Sequence, residues 1–544
     1  MRDRPSILYD LQRLARLVHL LVILGKRLLL PRLRGVRPDL RVVGAELRAL
    51  LEAMGITYVK LGQFLAMRFD ILPEAVCHEL ARLFDAVPPL PSETVRAVLQ
   101  REFSTTVETL FDQFDWTCIA AASVAQTHKA VTREGDVVAV KVQRPGIERM
   151  FAADIRNFRR AARLGDRLRL LGSQSLVGTV DEFEEYTARE MDFLIEGRTA
   201  DKLRRLAGPS EDVPRVHWGL TTSRVLTMEF VAGHPLSRII ELIESGHEDQ
   251  LEALVPGLNL ERAVANLARA CLRQLFVTGF FHADPHPGNI FLRDDGTVVF
   301  VDCGIFGQLS ADRRETVASY IEYVALGNVA LSYRSFVRLI ESTDETDHEA
   351  MKRDVYDIMR RWHEASQRTD GPAGERHLGK YISEFIATMR RHNARMTFGM
   401  LLFWRALMTL DATALRFKGK FDLLVALREF FTEIRPTRAE RLIAAVTDRR
   451  RVAALAAAVQ AAPRPVALLG EELSQGRFQL RVRTGAGSRR RAGPAQARRL
   501  SFAIVSGSLV VLAARAPLGD VGQVAVGAAA VTLALFAVTS RSRA

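Results

Sequence analysis

The segments of greatest chemical interest lie just past the middle of the chain. The first is His282-Ala283-Asp284-Pro285-His286-Pro287-Gly288-Asn289, and the second is Asp302-Cys303-Gly304. Carboxylate and amide oxygens suit a hard cation such as Mg²⁺, so Asp302 and Asn289 are candidate magnesium ligands. Asp284 is suited to accept a proton from an attacking hydroxyl group or to orient it. Alone, each acid is most simply a solvated loop residue, but their order and spacing together predict a site.

The spacing matches the catalytic loop of protein kinases, in which an Asn follows the catalytic Asp by five residues and an Asp-x-Gly comes later. Phosphoryl transfer depends on positioning and on neutralising phosphate charge more than on covalent help from the protein. The pattern therefore predicts ATP and Mg²⁺ as cofactors. His282 and His286 could instead be metal ligands, but this chemistry needs neither, and we expect His282 to be a structural loop residue.

A β-branched run upstream, Val137–Val142, predicts a buried strand that carries Lys141. This is the place of the phosphate-binding lysine of kinases. A lysine in an apolar strand is costly to bury without a partner, so Lys141 needs an acid. A predicted helix over residues 181–198 offers three candidates: Glu190, Asp192 and Glu196.

A second strand is predicted at 224–231, where a kinase hinge would bind adenine through backbone groups near Glu229 and Val231. Lysine, acid, hinge, Asp, Asn and Asp thus follow one another in kinase order. The fold class predicted from this order is α+β and bilobal: a lobe with strands, followed by a mainly helical lobe.

Two features depart from ordinary protein kinases. No GxGxxG precedes Lys141, and Ala120-Ala121-Ala122-Ser123 stands in that place. The alanine methyl groups obstruct the close backbone approach to phosphate that glycine permits. No APE motif follows Asp302, so the usual docking platform for peptide substrates is expected to be missing.

These departures accompany further motifs, and over residues 50–420 the chain resembles the UbiB/ADCK family of atypical kinases. The resemblance rests on Lys60-Leu61-Gly62-Gln63 (the KxGQ signature), Ala120–Ser123 with Gln126 and His128, Val140–Gly146, Glu190-Met191-Asp192, His282–Asn289 and Asp302–Gly304. Thr199 stands where the family commonly has Asn, and Cys303 replaces the middle Phe of DFG. Neither change removes a phosphate or metal ligand.

The resemblance implies that the KxGQ helix folds over the active site, where a peptide would otherwise lie. Lys60 would then face Glu190, and Glu196 would pair with Lys141. The KxGQ motif and the segment Glu190–Asp192 would then be regulatory, and Gln63 and Asp192 would share that role with Lys60 and Glu190. The alanine loop would tune nucleotide preference, and the family's activity would be an ATPase or kinase that supports biosynthesis of ubiquinone or another isoprenoid quinone at a membrane.

The charge distribution favours a membrane over nucleic acid. Of the formal +13, residues 1–50 carry +7 and residues 476–544 carry +10, which leaves −4 for the rest. The basic charge thus lies beside the most apolar segments, as at an anionic membrane surface, and no aromatic-interleaved basic motif of a nucleic-acid module occurs. Residues 1–45 predict a basic amphipathic helix, either on a membrane or partner or docked on the protein's own core.

The C-terminal region predicts a transmembrane hairpin. Residues 500–514 form a fifteen-residue apolar run and residues 521–539 a nineteen-residue run without a charge. About twenty apolar residues span a bilayer. Arginines flank the pair, so both flanks are expected to stay cytoplasmic at the inner membrane, with the kinase-like domain facing the cytoplasm. The hairpin could also support oligomers. The alternative is an alanine-rich helix pair packed on the soluble domain.

The predicted domains are therefore 1–45, basic amphipathic segment; 46–115, helical extension with KxGQ; 116–232, strand-bearing lobe; 233–440, helical lobe; 441–499, helix and basic linker; and 500–540, two transmembrane helices. Four scattered cysteines without a CxxC pair indicate a reducing compartment and small buried side chains.

Three functions fit these observations. The first is a membrane-associated ATPase or kinase of the UbiB type, with lipids, quinone precursors or quinone-biosynthesis enzymes as partners. The second is a nucleotide-sensing, lipid-binding scaffold without turnover. The third is a small-molecule phosphotransferase, against which the KxGQ motif and the membrane hairpin speak.

Overall fold

The computed structural model describes residues 39–434, with gaps at 69–70, 84–87, 169–174, 326, 344, 368–377 and 418–422, and isolated positions between 12 and 27. The chain divides into two units, Met1–Glu433 and Ile434–Ala544, and the first is described below. The predicted linker (441–499) and transmembrane hairpin (500–540) lie outside the described residues, as does most of the predicted segment 1–45.

Up to residue 110 the described chain is largely helical: α1 (Leu40–Met54), α2 (Ile56–Ala66), α3 (Glu74–Leu80), α4 (Ser92–Phe103) and α5 (Val107–Leu110). Gly55 separates α1 from α2 with a φ of 97°, a conformation that favours glycine. On α2, the glycine of the KxGQ motif is required by packing. A Cβ on Gly62 would lie 2.2 Å from Leu83 Cδ1 and 2.8 Å from Leu51 Cδ1.

The first sheet is antiparallel in the order β1-β2-β3-β5. Its strands are β1 (Phe111–Ala121), β2 (Ala125–Thr132), β3 (Val137–Gln143) and β5 (Val225–Glu229). The prediction that helix continues to residue 115 is wrong, because β1 begins at Phe111. That residue is 2% exposed, pairs with Thr132 on β2 and stacks against Phe114, so cross-strand packing overrides the local helical pattern.

Strand β3 places Lys141 on the inner face of this sheet. Val138, Val140 and Val142 alternate along the strand and are fully buried in a small core to which α4 contributes. Because successive side chains of a strand point to opposite faces, Lys141 projects away from that core. The predicted strand therefore has one face for packing and one for chemistry.

Three helices follow: α6 (Ile147–Arg167), α7 (Leu176–Met191) and α8 (Phe193–Leu206). The prediction of one helix over 181–198 is wrong, because the chain breaks at Asp192. The Asp192 side chain accepts a hydrogen bond from the Leu194 N–H at 3.0 Å and caps α8. Glu190 and Glu196 therefore lie on different helices.

The second sheet and a separate strand pair carry the catalytic segments. The sheet order is β4-β9-β8-β6, with β4 (Glu211–Asp212), β6 (His234–Pro235), β8 (Ile290–Leu292) and β9 (Val298–Phe300), and β7 (Phe280–His282) pairs separately with β10 (Phe306–Gln308). Helices α9 (Leu236–Ser245), α10 (Glu248–Leu254) and α11 (Leu260–Arg273) lie between β6 and β7 in the chain. A π-helical turn, Gln274–Thr278, continues α11, and Gly279 then turns the chain with a φ of 67° into β7.

The remaining described elements are α12 (Ala311–Ala325), α13 (Val329–Val337), β11 (Ile340–Glu341), α14 (His348–Gln367), α15 (Leu378–Arg391), β12 (Arg395–Met396), α16 (Phe398–Leu415) and α17 (Leu423–Ile434). Among the described residues, α16 alone is long and apolar enough to cross a membrane, which is weak evidence for a span. It is 61% buried inside the fold, so we assign it to the protein core. The predicted hairpin stays a prediction.

The described part of the N-terminal segment docks on the protein's own core. Arg13 forms a two-pronged ion pair with Asp154 of α6, at 2.5 and 2.7 Å, and Asp154 is fully buried. Arg16 donates to the Ala53 carbonyl of α1. Of the two alternatives for this segment, these contacts favour docking, although Val22 is 51% exposed.

Candidate active site

The candidate site lies between the two sheets and is centred on the ion pair of Lys141 and Glu196. The Lys141 Nζ lies 2.9 Å from both carboxylate oxygens of Glu196, which is 2% exposed on α8. Burial alone would lower the pKa of Lys141, but Asp302 and Glu196 together raise it above its ordinary value. Lys141 is therefore held as a cation in a mostly apolar strand.

Asp302 faces the same lysine from the loop after β9. The positive charge of Lys141 lowers the pKa of the Asp302 carboxyl against the effect of burial. The Gly304 N–H also donates to Asp302 Oδ1 at 2.9 Å. Asp302 is therefore an ionised carboxylate, which is the form that a magnesium ion requires.

Asn289 is brought beside Asp302 by the pairing of β8 with β9. The main-chain carbonyl oxygen of Asn289 accepts a hydrogen bond at 3.0 Å from the N–H of Val301, the residue before Asp302. No cluster of three or more His, Cys, Asp or Glu that could hold a metal occurs in the part of the chain that the structure describes. Mg²⁺ in nucleotide sites takes few protein ligands and completes its shell with phosphate and water, so Asp302 and Asn289 fit that donor set.

His282, the last residue of β7, ties the two catalytic segments together. Its Nδ1 accepts from the Asp284 N–H at 3.1 Å, and its Nε2 hydrogen-bonds the Asp302 carbonyl. Burial lowers the pKa of His282, so the ring is neutral and serves as acceptor and donor at once. The expectation that His282 is structural is confirmed.

Asp284, the predicted base, is held by an arginine that the sequence analysis missed. Arg405 of α16 places a guanidinium nitrogen 2.8 Å from Asp284 Oδ2. The same guanidinium contacts Met67 at the end of α2 and hydrogen-bonds the Tyr186 hydroxyl of α7. An arginine inside an apolar helix is costly to bury without a partner, and that signal could have revealed Arg405.

The alanine loop is shorter than predicted. Ala120 and Ala121 belong to β1, where they pair with Thr127 and Gln126, and only Ala122 and Ser123 lie in the turn before β2. Arg144 holds the turn by donating to the Ala122 carbonyl at 2.9 Å. The Ser123 hydroxyl is buried without a hydrogen-bond partner. An unsatisfied hydroxyl at this turn fits a ligand oxygen such as that of a phosphate.

The ion pair that the resemblance implies for the KxGQ helix is present. Lys60 Nζ lies 2.7 Å from Glu190 Oε1, and the Lys60 side chain is 8% exposed. A Cβ on Gly304 would lie 3.8 Å from Glu190 Cγ, so this pair borders the Asp302 loop. Gln63 donates to the Leu83 carbonyl at 3.5 Å. Gln63 and Asp192 thus have visible structural contacts, and their regulatory role stays a prediction.

The predicted hinge residues lie at the end of β5, with Glu229 as its last residue and Val231 two residues further on. The Phe230 N–H donates to the Val137 carbonyl at 3.0 Å. Glu229 Oε2 accepts from the Arg215 N–H at 3.3 Å, and Val231 is buried. The Glu229 side chain is therefore used in packing the lobe, which leaves backbone groups as the candidates for adenine contacts.

A family model, the ABC1 atypical kinase-like domain, matches residues 82–333. The Synechocystis sp. protein slr0889 is 30% identical over 372 residues, which cover 67% of this chain and 88% of that protein. The chain belongs to the ABC1 atypical kinase-like family. Its kinase-like fold of mixed helices and sheets places Lys141 in the first sheet, Asn289 and Asp302 at strand ends of the second, and Asp284 just after β7.

Two further relatives are similar over different shares of the chain. The Azotobacter vinelandii protein named "Probable protein kinase UbiB" is 29% identical over 415 residues, 74% of this chain and 72% of that one. The Arabidopsis thaliana protein ACTIVITY OF BC1 COMPLEX KINASE 7, chloroplastic, is 33% identical over 277 residues, 51% of this chain. The chain spans only 38% of the length of that plant relative.

Proposed function

We propose that this ABC1-family chain binds Mg²⁺–ATP and transfers or hydrolyses its terminal phosphoryl group. One observation carries the proposal: Lys141, paired with Glu196, and the ionised Asp302 face one another in the same cleft. A cation on the face of one β-sheet and a carboxylate in a loop of the other, held close together, suit a phosphate chain and its metal ion.

Each residue of the cleft has a stated task in this proposal. Lys141 binds phosphate oxygens, and Glu196 fixes its direction. Asp302 and Asn289 would hold Mg²⁺, which, when bound, neutralises charge on the phosphate oxygens. The Ser123 hydroxyl donates to a phosphate oxygen at the turn between β1 and β2. Asp284 orients or deprotonates the attacking hydroxyl or water.

We further propose that this activity supports biosynthesis of ubiquinone or another isoprenoid quinone at the inner membrane, with the kinase-like domain in the cytoplasm. The support is the resemblance to UbiB and the excess of basic residues at both ends of the chain. Membrane lipids, quinone precursors and quinone-biosynthesis enzymes are the proposed partners, and the hairpin at 500–540 is the proposed anchor and site of self-association.

The test is ATP hydrolysis by the purified full chain with Mg²⁺, with and without anionic liposomes, in wild type and in Asp302→Asn. Asp294→Asn, on the exposed loop between β8 and β9, is the matched control. Turnover that rises with liposomes and is lost only in Asp302→Asn supports the proposal. Undiminished hydrolysis in Asp302→Asn contradicts the metal assignment.

One observation favours a second function, a nucleotide-sensing scaffold without turnover. Asp284 is engaged by Arg405, so the group that would activate an acceptor is already occupied by a cation of the chain. Nucleotide binding without hydrolysis under any lipid condition would establish the scaffold. No comparable observation favours the small-molecule phosphotransferase.

A further inference from the structure

Helix α6 carries two stripes of different character. One stripe, which includes Phe151, Ile155 and Phe158, is buried in the main core. The opposite side carries Arg160, Arg163, Leu164, Arg167 and Leu168, and we call these five residues the basic face. They follow one another at i, i+3, i+4, i+7 and i+8, the spacing that places residues on one side of a helix.

The leucines of the basic face are unusually exposed. Leu164 is 59% and Leu168 62% exposed, the highest values among the exposed large hydrophobic side chains of the described residues. A soluble helix needs a single apolar stripe for its core, and α6 already has one. Two leucines one turn apart on the solvent side therefore need another explanation.

The arginines of the basic face lack carboxylate partners within the part of the chain that the structure describes. Within the described residues, Arg160 donates only to Asn157 of its own helix, and neither Arg163 nor Arg167 forms an ion pair. Arg159, on the same helix but off this face, pairs with both Asp181 and Glu184. Acids thus neutralise the side of α6 that faces α7 and leave the basic face charged.

The nearest acid does not neutralise this face either. Asp166 is turned toward the start of α7, where its carboxylate accepts from the Leu176 N–H at 2.7 Å and from the Ser175 hydroxyl. Its backbone and hydroxyl hydrogen bonds lower the pKa of Asp166, so the carboxylate is committed to capping α7. The three guanidinium groups stay available to an external anion.

We propose that the basic face of α6 docks on an anionic lipid bilayer. Unpaired guanidinium groups bind lipid phosphates, and leucines between them enter the boundary between headgroups and acyl chains, the composition of interfacial helices. A purely ionic protein partner would not require the two exposed leucines. Docking through this surface does not depend on nucleotide chemistry, so the docking proposal is tested separately from the proposed function.

The N-terminal segment shares this helix. The buried Arg13–Asp154 pair fixes that basic segment to α6 on the side away from the basic face. Lipid contact at α6 would therefore act on the element that also supports the N-terminal segment. The folded unit would then touch the membrane through its own surface, in addition to any anchor at 500–540.

The test uses the full chain with an environment-sensitive fluorophore on Leu168→Cys. The background is Cys118→Ser, because Cys118 is the one cysteine that is not buried. The labelled protein is reconstituted in phosphatidylcholine vesicles with and without phosphatidylglycerol, and quenching by a lipid-borne quencher is measured. Val137→Cys, 42% exposed on β3, carries the control label.

The proposal predicts quenching at position 168 in anionic vesicles and none at position 137. The double variant Arg163→Gln, Arg167→Gln should reduce the docked fraction about fivefold for each arginine. The control is Arg101→Gln with Arg262→Gln, which removes the same charge from exposed arginines of α4 and α11. This control should leave the docked fraction unchanged. Quenching that is absent, equal in neutral vesicles or insensitive to Arg163 and Arg167 would overturn the proposal. A response of the label at position 168 to an added acidic protein, and not to vesicles, would also overturn the proposal.

Discussion

The two sides of the catalytic cleft are prepared to different degrees. On the metal side, Lys141 is paired with Glu196, and Asp302 is ionised beside it. On the acceptor side, Asp284 is bound by Arg405, whose guanidinium also contacts Met67 and hydrogen-bonds Tyr186. The charges of Lys141 and Asp302 on the metal side are arranged for a ligand. On the acceptor side, Asp284 is already bound by Arg405 of the same chain.

This difference teaches that nucleotide binding and acceptor activation are separable in this fold. The groups that would bind Mg²⁺–ATP come from β3, α8, the residue before β8 and the loop after β9, and they support one another without Arg405. The acceptor side is assembled from α7, α16 and the end of α2, the KxGQ helix, which meet at Arg405. Variants on the two sides should therefore have different consequences.

The largest effect is expected from breaking the metal side at Glu196→Gln. This change leaves Lys141 without its buried partner, and removal of one member of a buried pair costs about 3 kcal/mol in the free energy of unfolding. Urea denaturation measures the loss, and calorimetry should show weakened ATP binding. Glu185→Gln, on the exposed side of α7, is the control. A stability equal to that of the control would contradict a role for the pair in holding Lys141.

Arg405→Met tests the acceptor side. With the cation removed, Asp284 is free to orient a water molecule, so we expect Mg²⁺–ATP hydrolysis to rise by about tenfold at unchanged ATP affinity. Arg416→Met, which breaks an exposed pair with Glu244 next to the end of the same helix, is the control. A fall in turnover at unchanged affinity would mean that Arg405 positions Asp284 instead of restraining it.

Ala121→Gly should have a smaller effect on the metal side. Ala121 ends β1, paired with Gln126, and glycine there allows closer backbone approach to a phosphate. We expect a change in ATP or ADP affinity on the order of threefold, from the backbone freedom of glycine. Identical affinities for both nucleotides would remove the β1–β2 turn from the account.

The smallest effect concerns His282, which joins the two sides. Burial depresses the pKa of His282 in the folded state, so the unfolded chain takes up the proton first as the pH falls. Its contribution to stability is therefore complete above the ordinary histidine range and is lost as the pH falls through that range. The pH dependence of unfolding between neutral and acidic pH should be shallower in His282→Gln and unchanged in His247→Gln, a control on an exposed histidine. Equal slopes in all three proteins would contradict a neutral His282.

The metal side was more predictable from sequence than the acceptor side. Lys141 stands in a β-branched strand that demands an acid, and Asn289 and Asp302 lie within one short stretch of chain. Local spacing therefore specified most of that side. The pairing of Lys60 with Glu190 came from the family resemblance, since no local pattern joins residues so far apart in the chain.

Arg405 escaped prediction because its partner lies 121 residues away and the contact depends on how α16 packs. The break at Asp192 was also missed, because capping by an aspartate competes with a helical pattern that continues on both sides. The early start of β1 depends on pairing with β2. At Arg405 and β1, tertiary contacts decide between locally similar alternatives, whereas at Asp192 a local cap decides.

The separation of the two sides is tested most directly by measuring the equilibrium affinity for ATP with and without Mg²⁺ in wild type, Asp302→Asn and Asp284→Asn. The account predicts that Mg²⁺ strengthens ATP binding in wild type and in Asp284→Asn, and that only Asp302→Asn loses this enhancement. Loss of the enhancement in both variants, or in neither, would contradict the division of the cleft into a metal side and an acceptor side.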